Sequence, residues 1–172
     1  MKAEPSREKK QAFEKEKSPA KEAYVLLGAK TPLELSNLYS AEDQKLMHAG
    51  SWNYKDEESV VNKVKKILES IDPSTLIPDE REWRQEILWF WYHHAISCAV
   101  WRYKDKIAAQ TYAAKALEYQ SAEHPNKITR LLDLLVNDKL EDAEKWSSEI
   151  GEEPERSTAD SLVQGYKRGN FF

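Results

Sequence analysis

Two histidines and the only cysteine of the chain are the side chains best suited to chemistry. His93, His94 and Cys98 are close in sequence, and His94 and Cys98 are four residues apart, so one helix face would carry both. Two ligands do not hold a zinc ion, and His48 and His124 are distant in sequence. A thiol among apolar residues is also a weak nucleophile, because burial raises its pKa. We therefore expect these residues to lie in the core, with no metal, no cofactor and no catalytic residue.

Acidic residues occur in pairs, but their spacing does not match a catalytic or dinuclear metal site. Glu82 and Glu86 are one helical turn apart, and Glu141 and Glu144 are three residues apart. A dinuclear bundle site needs Glu-x-x-His on two helices, a pattern that this sequence lacks. The five glycines are scattered, so the sequence has no glycine-rich phosphate loop. The acids are interpreted as solvated helix faces, and no enzyme activity is expected.

Basic residues form local clusters that raise the question of nucleic-acid binding. The clusters are Lys63, Lys65 and Lys66, then Arg81 and Arg84, and then Arg102, Lys104 and Lys106. Cations near Trp83 suit single-stranded nucleic acid, because bases stack on aromatic rings. Glutamates are interleaved with the clusters, however, and the formal net charge is −4. An accessory protein that binds nucleic acid through basic helix faces is therefore the alternative function, and nucleic acid is the disfavoured partner.

The composition indicates a cytoplasmic helical domain with an aromatic core. The chain of 172 residues is long enough for one domain and contains six Trp and eight Tyr, whereas disordered chains are poor in aromatics. A single cysteine allows no intrachain disulfide, which favours a reducing compartment. The apolar-rich stretch 87–100 is too short to span a membrane, and the first residues lack the apolar core of a signal peptide. We expect no membrane partner.

Helix start and stop signals recur along the chain, and no segment alternates as a strand does. Residues 1–17 are nearly all charged or small, which predicts a disordered tail. A single helical domain is predicted over 18–168, with a flexible end at 169–172. The predicted helix starts are at Ser18, Thr31, Ser40, Asp56, Pro78, Lys106, Asn126, Lys139 and Ser157.

The segment 79–103 is predicted to be the central helix, because it is apolar on almost every side. The next segment, 106–122, is rich in alanine, and small side chains let a bulky neighbour approach closely. The two segments are therefore predicted to pack as a pair. A second subunit covering 79–103 is the alternative, so a homodimer remains open.

The segment 105–119 has the pattern of a helical repeat. It reads Asp-Lys-Ile-Ala-Ala-Gln-Thr-Tyr-Ala-Ala-Lys-Ala-Leu-Glu-Tyr, and Ala143 follows Ala109 at a spacing of 34 residues. An Asp-Lys-aliphatic string occurs at 105–107 and again 33 residues later, so the register is ambiguous by one. The chain over 87–150 resembles tetratricopeptide repeats, which are hairpins of two antiparallel helices. The predicted fold is all-α, with antiparallel helical hairpins forming either a tetratricopeptide-like α-solenoid fragment or an irregular helical bundle.

The resemblance implies that a peptide or protein binds on a concave face. Candidate partner-binding residues on the outward side of 106–122 are Gln110, Tyr112 and Tyr119. Phe171 and Phe172 are two further candidates, because exposed aromatics at a chain end are unfavourable unless they dock on the domain or on a partner. The predicted function is a protein–protein interaction or scaffold module without catalytic activity.

Overall fold

The described part of the chain consists of eight α-helices joined by short connections, and it contains no strand. The structure is a computed structural model and describes residues 13–123 and 125–172. The helices are α1 Lys21–Leu27, α2 Pro32–His48, α3 Val60–Glu69, α4 Pro78–Ser97, α5 Lys106–Tyr119, α6 Lys127–Val136, α7 Leu140–Glu149 and α8 Glu155–Lys167. None of these eight combines the length and the apolar character that crossing a membrane requires. The predicted all-α class is confirmed.

Several helices begin or end where the sequence places a capping residue. Gly28 ends α1 in the left-handed conformation, with a φ of 69°. The Thr31 hydroxyl accepts a hydrogen bond from the Glu34 backbone N–H at 3.2 Å, which begins α2. The Asn126 side chain accepts from the Thr129 backbone N–H at 2.9 Å and begins α6 in the same way. Local capping therefore determines these boundaries.

α2 is one helix where the sequence analysis predicted two. The predicted start at Ser40 is wrong, because Pro32–His48 continues through it without a break. Ser36, Tyr39 and Asp43 are all buried and share one face of this helix. Burial of a continuous face thus outweighs the cap-like composition around residue 40.

Three further helix starts differ from the prediction. α1 begins at Lys21 and not at Ser18, and the starts of α3 and α8 differ as well. α3 begins at Val60 and not at Asp56, whose carboxylate instead accepts a backbone N–H two residues further on. α8 begins at Glu155, ahead of the predicted Ser157, whose hydroxyl donates to the Glu153 carboxylate at 2.7 Å. At the starts of α3 and α8, a short turn held by side-chain hydrogen bonds displaces the expected cap.

α4 and α5 form the most extensive helix pair of the structure, as the sequence predicted. α4 is covered by α2, α3 and α5 of the same chain. α5 has three fully enclosed residues, Ala109, Ala113 and Ala116. Because these side chains are small, neighbouring helices can pack closely on α5, and its Tyr112 ring meets α4 at 5.7 Å from the Trp91 ring.

α4 continues into a π-helical turn, Cys98–Tyr103, that nothing in the sequence signalled. Cys98, Ala99 and Val100 are all buried. Three successive residues do not fit on one narrow face of an α-helix, because each residue rotates the side-chain direction by about 100°. The wider π turn brings all three towards the core.

α4 and α5 form one helical hairpin, and α6 and α7 form a second. The turn of the second hairpin resembles the turn of the first. Lys104 and Asp138, with φ of 52° and 58°, are the non-glycine residues of the described ranges that adopt the left-handed conformation. They are 34 residues apart, and α5 and α7 each begin two residues later, at Lys106 and Leu140. The Lys106 ammonium pairs with the Asp138 carboxylate and connects the two turns. The turn geometry therefore repeats at 34 residues and not at 33.

Part of the predicted N-terminal tail packs on the domain. Residues 1–12 of the predicted tail 1–17 lie outside the described residues. In the remainder, Lys15–Lys17 forms one 3-10 turn, and the Phe13 ring lies 5.1 Å from the Tyr24 ring. Phe13 therefore packs against α1, whereas the predicted domain boundary at 18 stays a prediction.

Ala113→Leu tests the close approach of α4 and α5. Because Ala113 is fully enclosed, the added side-chain atoms have no space, and we expect the free energy of unfolding to fall by about 1–3 kcal/mol. Chemical denaturation followed by circular dichroism measures the change. Ala114→Leu, on the exposed side of the same helix, is the matched control and should stay within about 0.5 kcal/mol of the wild type. Equal effects of the two substitutions would contradict the close packing.

Candidate functional site

An open groove with a volume of about 1060 Å³ lies between the two hairpins. Trp83 and Trp89 line it from α4, Tyr119 lines it from the end of α5, and Trp146 lines it from α7. All four aromatic side chains are half-buried, so each keeps part of its surface open to solvent. The groove is therefore a concave surface with aromatic walls that come from three helices.

Antiparallel pairing places the groove at the end of the hairpins away from their tight turns. The C-terminal end of α5 lies beside α4, where the Tyr119 ring stacks on Tyr92 at 5.7 Å and the Arg84 guanidinium lies 5.9 Å from the centre of the Tyr119 ring. The Trp146 indole N–H donates to the Lys127 carbonyl oxygen at 3.0 Å, which ties α7 to the start of α6. These contacts fix two of the four aromatic side chains before any ligand arrives.

Acidic side chains outnumber basic ones around the groove. The acidic lining residues are Glu82, Glu86, Glu123 and Glu155. Among the described residues, none of these four carboxylates has a basic or hydrogen-bonding partner. The basic lining residues are Lys127 and Arg130, and the Arg130 guanidinium already pairs with Asp133 at 2.9 Å. The groove therefore carries uncompensated negative charge.

One stripe of α4 brings acid and aromatic side chains together. Glu82, Glu86 and Trp89 follow at intervals of four and three residues, which places them one above the other on the helix. Burial, and then the charge of Glu82, raises the pKa of the Glu86 carboxyl. A half-buried carboxylate without a cation is unfavourable in its charged form. The stripe therefore combines an unneutralised charge with an adjacent ring.

Two of the three candidate residues on α5 serve the fold. The Gln110 side chain donates to the Val136 carbonyl oxygen at 3.0 Å and satisfies the C-terminal end of α6. The Tyr112 ring lies 5.1 Å from the Tyr54 ring within an aromatic cluster. Only the third candidate, Tyr119, lines the groove.

The two C-terminal phenylalanines have different environments. Phe171 is 2% exposed, and its ring lies 5.5 Å from the Trp101 ring and 5.5 Å from the Tyr166 ring. The Lys104 ammonium also donates to the Phe171 carbonyl oxygen at 3.3 Å. Phe172 is 38% exposed. The Phe171 ring is therefore buried within its own domain, and the flexibility of 169–172 stays a prediction.

Phe171→Ala tests this docking. Removal of an enclosed ring leaves a cavity, so we expect the free energy of unfolding to fall by about 3–5 kcal/mol. Phe172→Ala is the matched control and should cost less than about 1 kcal/mol, because that ring is already partly in water. Thermal and chemical denaturation of both variants measure the difference. A small and equal loss of unfolding free energy in both variants would instead favour the hypothesis that both residues anchor a partner.

His94 and Cys98 lie beside a smaller cavity of about 400 Å³, but they are not arranged as base and nucleophile. The buried Asp43 carboxylate is hydrogen-bonded to the Trp52 indole N–H at 2.8 Å and to His94 Nδ1 at 3.1 Å. The Cys98 thiol donates to the Trp52 carbonyl oxygen at 3.8 Å, and burial raises the pKa of the thiol. These contacts join α2, α4 and the loop that carries Trp52, and they disfavour the thiolate that a nucleophile needs.

No metal-binding cluster is found in the part of the chain that the structure describes. Over 13–123 and 125–172, no three His, Cys, Asp or Glu side chains converge closely enough to hold an ion. His124, considered above as a distant ligand, lies outside the described residues. His48 is exposed near the end of α2.

Several cations of the predicted nucleic-acid surface are engaged within the protein. Arg84 is buried and donates to the Leu68 carbonyl oxygen at 2.7 Å. The Lys65 ammonium pairs with Glu69 at 2.5 Å and lies 4.5 Å from the centre of the Trp91 ring. Cations held in this way contribute to helix packing and present less charge to a phosphate backbone.

His93 should make the stability of the fold depend on pH. Its Nδ1 lies 2.9 Å from Thr129 Oγ1, between α4 and α6. Burial, followed by the neighbouring His94, lowers the pKa of His93 to about 4. The unfolded chain binds this proton with a pKa of about 6.5, so the contribution of His93 is complete above that pH and is lost as the pH falls towards 4. We expect a loss of up to about 3 kcal/mol in that window.

His93→Gln isolates this contribution. The free energy of unfolding of the variant and of the wild type is measured by urea denaturation at pH 7 and at pH 4.5. We expect the wild type to lose more stability than the variant between the two values. His48 is exposed, so His48→Gln is the control, and its free energy of unfolding should follow that of the wild type at both pH values. An equal pH dependence of wild type and His93→Gln would show that His93 carries no proton-linked stability.

Comparison of the chain with protein-family models, with curated proteins and with solved structures found no match. The fold and the groove define the class: an all-α protein of helical hairpins with an open, acidic, aromatic groove. The resemblance to tetratricopeptide repeats stays a prediction.

Proposed function

We propose that this chain is a non-catalytic protein-interaction module that binds a peptide segment of another protein in the groove between its two hairpins. The observation that supports the proposal is the set of four half-buried aromatic side chains lining one open groove. Concave sites with aromatic walls and a few polar groups are the usual form of binding pockets. Tryptophan and tyrosine are also the residues that most often dominate binding energy at interfaces.

The extent of the groove favours a peptide over a compact ligand. Its lining comes from α4, α5, α6, α7 and the start of α8, so a ligand that contacts all of it must extend across both hairpins. Tyr119 and Trp146 are held by contacts with neighbouring helices. A ligand therefore meets partly preorganised walls, which lowers the entropy cost of binding. No catalytic role is proposed, because the Cys98 thiol donates its hydrogen bond to the Trp52 carbonyl oxygen and not to a base.

Selection of random displayed peptides against the full chain tests this proposal. We expect enriched peptides whose affinity falls at least about tenfold in Trp83→Ala, because that substitution removes one groove wall. The matched control is Trp101→Ala, since Trp101 is 43% exposed but lies outside the groove. Circular dichroism confirms that both variants are folded. The absence of any enriched peptide, or equal loss in both variants, would contradict the proposed function.

A further inference from the structure

We infer that the groove takes a basic segment, with an arginine or lysine side chain placed beside Glu82 and Glu86 of α4 and against the neighbouring tryptophan rings. The inference rests on the proposed function and adds the chemical class of the partner. Three features support it: the negative charge of the lining, the aromatic rings beside the glutamates, and the unfavourable free energy of binding an acidic or a purely apolar segment.

The charge of the groove is complementary to that of a basic segment. Four glutamates line the groove, and none has a basic or hydrogen-bonding partner among the described residues. Of the two basic residues, Arg130 is already paired with Asp133. Glu82 and Glu86, one turn apart on α4, repel each other in the free protein. A bound cation removes this repulsion and neutralises the half-buried Glu86.

Aromatic rings lie beside these carboxylates. Trp83 directly follows Glu82, and Trp89 lies one turn beyond Glu86 on the same stripe. A guanidinium or ammonium held over an indole face gains from the electrostatic attraction of the ring. The contact between α3 and α4 already shows this combination, because the Lys65 ammonium of α3 lies 4.5 Å from the centre of the Trp91 ring of α4 while it pairs with Glu69. In the groove, Glu82 and Glu86 lie beside Trp83 and Trp89, but no basic residue of the described chain pairs with either carboxylate.

Acidic and purely apolar segments fit this lining poorly. A phosphorylated or acidic peptide would bring like charges together, which opposes association. An apolar segment would bury Glu86 further without a counter-charge, and a carboxylate buried in this way is costly. A segment that alternates cationic and apolar side chains satisfies both the glutamates and the tryptophan faces.

Three displayed peptide libraries of equal length test the inference with the full chain. Alternate positions are fixed as arginine in the first library, glutamine in the second and glutamate in the third, and the other positions are random. We expect enrichment from the arginine library alone. In the best peptide, replacement of each arginine by the uncharged isostere citrulline should weaken binding at least about tenfold, as fluorescence anisotropy measures. Affinity should also fall as salt is raised.

A pair of double variants assigns the effect to the groove. Glu82→Gln/Glu86→Gln keeps the shape of both side chains and removes their charge, so arginine-dependent binding should be lost. Glu57→Gln/Glu141→Gln changes the net charge equally at exposed positions outside the groove and should bind as the wild type does. Equal weakening in both double variants would mean that only the overall charge matters, which would overturn the inference.

The outcomes separate this inference from the proposed function. If glutamine or glutamate peptides are enriched as strongly and their binding depends on Trp83, peptide binding stands and the preference for cations is wrong. If no library is enriched, the proposed function and the inference fail together. If arginine peptides bind and lose affinity only in the groove double variant, the chemical class of the partner is established.

Discussion

The contact between an aromatic helix and an alanine-rich helix is the constraint on which the other contacts of this fold depend. The side chains of α4 are large, so a second helix with large side chains could not pack closely against it. α5 provides the space through its small enclosed residues Ala109, Ala113 and Ala116. Once α5 occupies that side, α2 and α3 cover the others. The N-terminal half of α4 then remains partly open, and the groove forms there.

Buried polar groups select one arrangement of these helices. Asp43 accepts hydrogen bonds from Trp52 and His94, so α2 has one favourable rotation against α4. Gln110 performs a similar role at the end of α6, where it donates to the Val136 carbonyl oxygen. Each of these groups would be costly to bury without its partner, so alternative packings are penalised.

Capping and stop residues predicted many of the helix boundaries, because they act on neighbouring residues. The errors arose where contacts with distant segments decide the structure. The caps at Thr31 and Asn126 and the stop at Gly28 involve neighbouring residues, so composition was enough to place them. The continuity of α2 was missed, because only the partners of Asp43 from distant segments show that it points inwards.

The groove was missed for the same reason. Helical periodicity shows that Glu82 and Glu86 share a face, but it does not show that Trp146 lies across from them. That pairing depends on how the second hairpin packs against the first. The recurrence of glutamate and tryptophan at Glu82, Trp83, Glu86 and Trp89 was the one available signal.

The π-helical turn at Cys98–Tyr103 also bears on how related chains would be aligned. A π turn contains one residue more than an α turn, while the helix before it and the turn after it keep their places. A related chain with one residue fewer in this segment would close the turn as an ordinary α-helix and keep both hairpins in register. An alignment should therefore place a single-residue gap here, inside an apparently continuous helix, and not in the surface loops where gaps are usually assigned.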